Sequence, residues 1–275
     1  MRASALFGDP ALPIASPLPS LPGRVAIVTG GTRGIGRAIA EALLATGCEV
    51  EICGRSAPET LPEAGGRAAR FTPCDIRDAT QAKAFVAAVA ERNGGLHIVV
   101  NNAGGSPQTD AATASPRFSE AIVALNLLAP LHVAQAANAI MAQQADGGSI
   151  INIASISGAR PSPGTAIYGA AKAGLLNLTR SLAQEWGPRV RVNAIVVGLI
   201  ETVTAEATYG SRAAQEAIAA SLPLRRMGTG QDVAGAVIFL ASPLAAYVSG
   251  AQIAVDGGGE RPLFLELVAA HQPRA

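Results

Sequence analysis

Val25-Ala26-Ile27-Val28-Thr29-Gly30-Gly31-Thr32-Arg33-Gly34-Ile35-Gly36 is the stretch on which the fold turns. A short apolar run ends in glycines, and Ile35, Ala38, Ile39, Ala42 and Leu43 then recur at helical spacing, so the segment reads as strand, turn, helix. Glycines in such a turn permit positive φ, let the backbone approach a pyrophosphate and aim a helix N-terminus at its charge. Alone the turn is a weak signal, because glycine-rich turns also serve purely structural ends.

Working outward, strands are expected at 50–54, at a third segment ending near Cys74-Asp75-Ile76, and at 98–101, 149–154, 190–197 and 251–255. Helices are expected at 79–92, 119–144, 165–186 and 231–241, and any helix between the second and third strands must be stunted. This alternation predicts an α/β chain: one doubly wound Rossmann fold with a central parallel seven-stranded sheet and helices on both faces. Ligands of such sheets sit beyond the carboxyl ends of the strands. The fold is expected to occupy residues 23–259, with a substrate lid at 199–223. A proline-rich arm precedes it at 1–22, and a tail follows at 260–275. The tail's apolar patch, Leu263 to Val268, covers a neighbouring subunit or lies on its own core.

Composition narrows the partners. The 275 residues are 49 % hydrophobic with a formal net charge of +1, and no basic stripe suits nucleic acid. Three cysteines, Cys48, Cys53 and Cys74, lack metal-ligand spacing and read as buried thiols in a reducing cytoplasm, so no metal is expected. The first 22 residues hold no continuous apolar core of a signal peptide, and no apolar run of about 18 residues suggests a membrane span.

NAD-using dinucleotide folds commonly carry an acid at the end of the second strand, where it binds the ribose 2′-hydroxyl. Here that end reads Ile52-Cys53-Gly54-Arg55-Ser56. A carboxylate would repel a 2′-phosphate, whereas a guanidinium binds it with paired hydrogen bonds. Arg55, helped by Arg33, therefore points to NADP(H), although both could be ordinary surface charges.

Tyr168 and Lys172 stand four residues apart, on one face of a predicted helix. A phenol titrates near pH ~10, and a neighbouring positive charge favours its ionised form. Such pairs also arise by accident. Yet of 21 basic residues only Lys83 and Lys172 are lysines, which suggests a need for a compact ammonium at 172. Ser155 closes a predicted strand and would present its hydroxyl at the sheet edge. The alternative role of capping the next turn suits Ser157 better.

The TGGTRGIG turn, the Asn101-Asn102-Ala103-Gly104 turn, Asn126, Ser155, the Tyr168/Lys172 pair and the closing Val255-Asp256-Gly257-Gly258 share one order and spacing. In these the chain resembles the short-chain dehydrogenase/reductase family over about residues 23–259. The resemblance implies a carbonyl reductase-like or 3-oxoacyl reductase-like enzyme that moves hydride between nicotinamide and a ketone or secondary alcohol. Tyr168 would be the proton donor or acceptor and Ser155 would polarise the substrate oxygen. Lys172 would bind the nicotinamide ribose and acidify Tyr168, and Asn126 would anchor a water joining Lys172 to solvent. Gly30, Thr32, Arg33, Gly34, Ile35 and Gly36 would hold the pyrophosphate. Asp75 and Ile76 would meet the adenine, Asn102, Ala103 and Gly104 the adenosine side, and Gly198, Ile200 and Thr202 the nicotinamide.

Where the family usually has Pro-Gly, this chain has Val197-Gly198, which predicts a looser entry to the lid. His97 replaces a frequent acid and reads as a packing or surface residue. The stretches 141–148 and 182–186 lack the Lys or Arg with which relatives dock an acyl carrier protein, so small or free ketones, or coenzyme A esters, are the expected substrates. Apolar residues on several faces of the two long helices, together with the resemblance, imply a homotetramer. The competing function is a catalytically silent NADP(H)-binding regulator or scaffold subunit, against which the intact Ser155, Tyr168, Lys172 and Asn126 set argues.

Overall fold

A computed structural model describes residues 19–202 and 205–271. β1 (Val25–Thr29) leads through the glycine turn into α1 (Gly34–Ala45), and β2 (Glu49–Gly54) follows. A small antiparallel hairpin, β3 (Glu63–Ala64) and β4 (Arg67–Ala68), occupies the connection in which any helix had to be stunted. The two residues at its tip, Gly65 and Gly66, have φ of 59° and 73°, the pair of positive angles that a type I′ turn demands. β5 (Arg70–Pro73), α2 (Ala79–Asn93) and β6 (Ile98–Asn101) come next. After them, α3 (Pro116–Val123), a π-helical turn (Ala124–Leu128) and α4 (Ala129–Met141) form one interrupted rod. β7 (Gly148–Ser155), α5 (Ala166–Trp186) and β8 (Val190–Val197) lead to the lid helices α6 (Ala205–Tyr209) and α7 (Arg212–Ser221). The chain closes with α8 (Gly230–Ala241), β9 (Gln252–Val255) and α9 (Leu263–His271).

Seven strands form a parallel sheet in the order β5-β2-β1-β6-β7-β8-β9. The chain reverses direction across the sheet between β1 and β6, and this is where such folds open a ligand crevice. Strand alternation splits the core in two. Ala26, Val28, Ile52 and Val100 pack under α1 and α8. Val25, Ile27, Val99 and Ile150 pack under α2, α4 and Leu182 of α5. A chain of buried polar groups runs from β6 across β7 to α5 on the second of these faces. Asn101 donates to Asn152 at 2.9 Å, and Asn152 donates to Thr179 at 2.9 Å.

Several expectations are revised. The third strand ends at Pro73, so Asp75 and Ile76 belong to the loop beyond it. By length and mean composition alone the helical rod Pro116–Met141 is long and apolar enough to cross a membrane. It is not a continuous apolar run, since it carries Arg117, Glu120, Asn126 and His132. One side of it packs in the core, where Val133, Ala134, Ala137 and Met141 are buried, while Leu128 is exposed. Most of the proline-rich arm, residues 1–18, lies outside the described residues, but Leu21 is already buried and its N–H donates to the carbonyl of Thr46 at 2.8 Å. The tail forms α9, with Leu263, Phe264 and Leu267 exposed rather than laid on the core; residues 272–275 lie outside the described residues. The three cysteines are free and buried. His97 is a packing residue whose Nδ1 accepts from the N–H of Val25 at 3.1 Å.

Candidate active site

A cleft of about 1100 Å³ runs along the carboxyl ends of the strands. At its centre the N-terminus of α1 points inward, with Arg33 as its first flanking residue and no side chain capping it. Its free N–H groups therefore suit an anion. Asn102 staples the turn beneath. Its Nδ2 donates to the carbonyls of Thr29 and Gly30 at 2.9 and 3.2 Å. Thr29 Oγ1 accepts in turn from the N–H groups of Asn102 and Ala103. Gly36 is required by this closeness, for a Cβ there would lie 2.4 Å from both Asn102 Nδ2 and the carbonyl oxygen of Gly30.

One end of the cleft gathers Arg33, Arg55, Arg77, Asp75 and Ile76. Asp75 is the only carboxylate among the described residues lining the cleft, and Arg77 pairs with it. The Arg77 hydrogen bonds hold the Asp75 carboxyl below its ordinary range, with burial opposing and Arg55 adding a smaller pull. Glu51 of β2 does not line the cleft and accepts from Arg92 at 2.8 Å and Asn93 at 3.1 Å. The cleft thus concentrates positive charge in a chain whose net charge is +1.

At the other end Ser155, Tyr168 and Lys172 come together. Ser155 ends β7 in an extended conformation, and its Oγ accepts from the N–H of Ser157 at 3.2 Å. The capping role assigned to Ser157 therefore falls on Ser155, because the strand's last residue is the one whose geometry places its hydroxyl over the next turn. The Ser155 hydroxyl also acts on the Tyr168 phenol, pulling its pKa down. Lys172 is 3 % exposed, donates to the carbonyl of Ile153 at 2.7 Å and lies 5.8 Å from the centre of the Tyr168 ring. Burial alone pulls its ammonium down to about 8. Burial also raises the Tyr168 phenol above its ordinary value, the Ser155 hydroxyl opposes this, and the nearby Tyr209 phenol adds to the rise. In this geometry burial prevails over the acidification expected from Lys172.

Asn126 sits in the π-helical turn, fully buried. Its Oδ1 accepts from the N–H of Gly105 at 2.9 Å, and its Nδ2 donates to the carbonyls of Gly105 and Ile122. Gly104 has to be bare, since a Cβ would stand 2.7 Å from Asn126 Oδ1 and 3.2 Å from Lys172 Nζ. At Val197-Gly198, where a looser lid entry was expected, the backbone is bonded to the last strand. The Gly198 N–H donates to the carbonyl of Val255 at 2.9 Å, and a Cβ at 198 would strike Asp256 at 2.6 Å. Gly198, Ile200 and Thr202 line the cleft beside Tyr168; Val203 of the lid lies outside the described residues.

A family model described as enoyl-(acyl carrier protein) reductase matches residues 30–260. An uncharacterised oxidoreductase of Mycobacterium tuberculosis is 37 % identical over 241 residues, covering 86 % of this chain and 91 % of that protein. A 3α-hydroxysteroid dehydrogenase of Mediterraneibacter gnavus is 37 % identical over 246 residues, covering 86 % and 97 %. The chain belongs to the short-chain dehydrogenase/reductase family. Among solved structures, the ligand-free aldohexose dehydrogenase of Thermoplasma acidophilum matches with a TM-score of 0.79 and 29 % identity, covering 92 % of this chain and 96 % of that one. As an oxidoreductase of this family, the protein works with a nicotinamide cofactor. The uncapped α1 terminus and the bare Gly104 fit such a group.

Three residues of this short-chain dehydrogenase/reductase escaped the sequence reading as parts of the site. Arg77 gave no signal beyond its charge. Arg160, on the cleft wall, pairs with Glu260 of the tail. Tyr209 was read only as a lid residue, yet its Oη accepts from the N–H of Ile200 at 3.3 Å.

The depressed Lys172 pKa has a consequence for stability. The unfolded chain keeps this proton up to its ordinary value near 10.5, whereas the folded chain releases it near 8. Between those values the unfolded state binds more protons, so this lysine's burden on stability lightens as pH rises. Wild type should gain on Lys172→Met by on the order of 1–2 kcal/mol between pH ~7 and pH ~9.5 in denaturant unfolding; a constant difference would mean that Lys172 is not buried as an ammonium.

Proposed function

We propose that the protein is an NADP(H)-dependent reductase of ketones, or dehydrogenase of the matching secondary alcohols, acting through Ser155, Tyr168 and Lys172. The observation that carries the reading is the gathering of Ser155, Tyr168 and the buried Lys172 on one wall of the cleft, with Lys172 held by the Ile153 carbonyl. Bound nicotinamide would supply or accept the hydride. A phenol raised by burial is protonated at neutral pH, which suits Tyr168 to give its proton to the carbonyl oxygen during reduction. The Ser155 hydroxyl can donate to the same oxygen and polarise it. The phenolate left behind would face a lysine whose pKa of about 8 lets its proton move at working pH. Asn126 positions the wall by holding Gly105.

Arg33, Arg55 and Arg77 favour the phosphorylated cofactor, because a 2′-phosphate accepts several charge-assisted hydrogen bonds there. That preference favours reduction as the working direction. Three buried free thiols fit a reducing cytoplasm. Related proteins are named for a steroid and an aldohexose, which leaves small or free ketones and coenzyme A esters within reach. Leu244 and Tyr247, strongly exposed, and the apolar side of α9 support assembly into a homotetramer.

Tyr168→Phe should lower kcat by at least ~10²-fold in a nicotinamide absorbance assay with NADPH binding intact; substantial residual turnover would show that another group moves the proton. Wild type should prefer NADPH to NADH by roughly several hundred-fold in kcat/KM, and Arg55→Ala should remove most of that margin. Equal use of both cofactors by wild type would overturn the assignment. Light scattering should return the mass of four chains, against which a stable monomer would stand.

A further inference from the structure

A second, smaller pocket of about 350 Å³ adjoins the catalytic cleft, and Ser106, Pro107 and Thr165 line both. One side is the first turns of α5, where Ala166, Ile167 and Ala170 face it. The helix turns by about 100° per residue, so Ala166 and Ala170 lie roughly opposite Tyr168 and Lys172 around its axis. The pocket therefore opens around the corner from the reacting groups. Its far wall is the loop after β6 and the start of α3, through Ala111, Ala114 and Phe118. None of its lining side chains is ionisable.

This wall is held in place. The Thr109 N–H donates to the carbonyl of Gly164 at 2.8 Å, which ties the loop to the entry of α5. Asp110 accepts from the N–H of Ala112 at 2.8 Å, and Ser115 caps α3 through the N–H of Phe118. A preformed, neutral, mostly apolar hollow of this size is the usual form of a small-molecule subsite.

We propose that this pocket binds the apolar limb of the substrate, so that the preferred ketones carry a neutral hydrocarbon chain of several carbons. The inference rests on the reading of the cleft as a ketone-reducing site. The carbonyl would lie at Tyr168 and Ser155, and the limb would pass Pro107 and Thr165 into the hollow. A charged limb would lose its hydration there without a partner.

Methyl alkyl ketones from butanone to decanone provide the test, read both as kcat/KM and as calorimetric binding with NADP⁺ present. Each added methylene should improve both by roughly two- to fourfold until the pocket is full. Ala170→Trp, at an exposed position that should tolerate bulk, should flatten this dependence, and Phe118→Ala should shift the optimum to longer limbs. Turnover or binding that is indifferent to limb length in wild type, or a dependence that Ala170→Trp leaves intact, would overturn the subsite. So would a loss of assembly by Ala170→Trp in light scattering, which would assign the hollow to a contact between copies of the chain. If limb-dependent binding is seen and abolished by the variant while no ketone is reduced, the subsite stands and the hydride-transfer reading falls.

Discussion

Lys172 carries an ammonium into the core with burial alone acting on its titration, and the surrounding chain is arranged so that this can be tolerated. An unpaired buried cation is costly, and the usual outcome is release of its proton. Here the Ile153 carbonyl accepts from it at 2.7 Å, which keeps a proton on Nζ while leaving it weakly held. The same strand places Ser155 two residues further on, on the same face, where it meets Tyr168. Gly104 makes room on the opposite side, and Asn126 holds the next residue, Gly105, so that the room stays open. Tyr168, Ser155 and the wall around them are therefore all arranged about one buried cation.

The glycine turn and the alternation of strands and helices were legible in the sequence because burial leaves a periodic imprint on the residues that are buried. Ser155, Tyr168 and Lys172 were legible by order and spacing. What escaped was set by contacts between segments. The hairpin at Gly65 and Gly66 leaves no periodic pattern, since two-residue strands are too short to show one. The π-helical turn at Asn126 adds one residue to a helix whose apolar spacing otherwise looks regular, and that extra residue is part of what turns the asparagine toward Gly105. Arg77 became part of the cleft through the loop that follows Pro73, and Ser155 became a cap through the backbone angle at the end of β7. Neither can be inferred from residue type at a position.

The acidification of Tyr168 by Lys172 is the instructive difference. Helical spacing correctly places two side chains on one stripe, but it carries no information about dielectric surroundings. Two groups four residues apart are coupled strongly only when their charged atoms approach, and here the ammonium is drawn away toward Ile153. Burial then acts on both groups in the direction of their neutral forms, raising the phenol and lowering the lysine. That draws the two pKa values apart, the phenol above its ordinary value and the ammonium down to about 8, so the phenol is the group that holds its proton more firmly.

Charge is distributed along the cleft in a way that net charge conceals. Arg33, Arg55 and Arg77 stand at one end with a single carboxylate, already paired, while the pocket beside the other end carries no ionisable lining. A polyanionic molecule is drawn to the first end by the field and excluded from the second by the cost of desolvation. The Gly198 N–H donates to the Val255 carbonyl at 2.9 Å and the Leu224 N–H to the Gly257 carbonyl at 3.2 Å, which joins the closing strand and its glycine turn to both ends of the lid. The closing Val255-Asp256-Gly257-Gly258 motif thus acts as a brace at the lid's two ends. A bulkier residue at 198 or 258 would have to displace the Asp256 backbone or the Pro223 ring, and the neutral end of the cleft would lose its registry with the charged one.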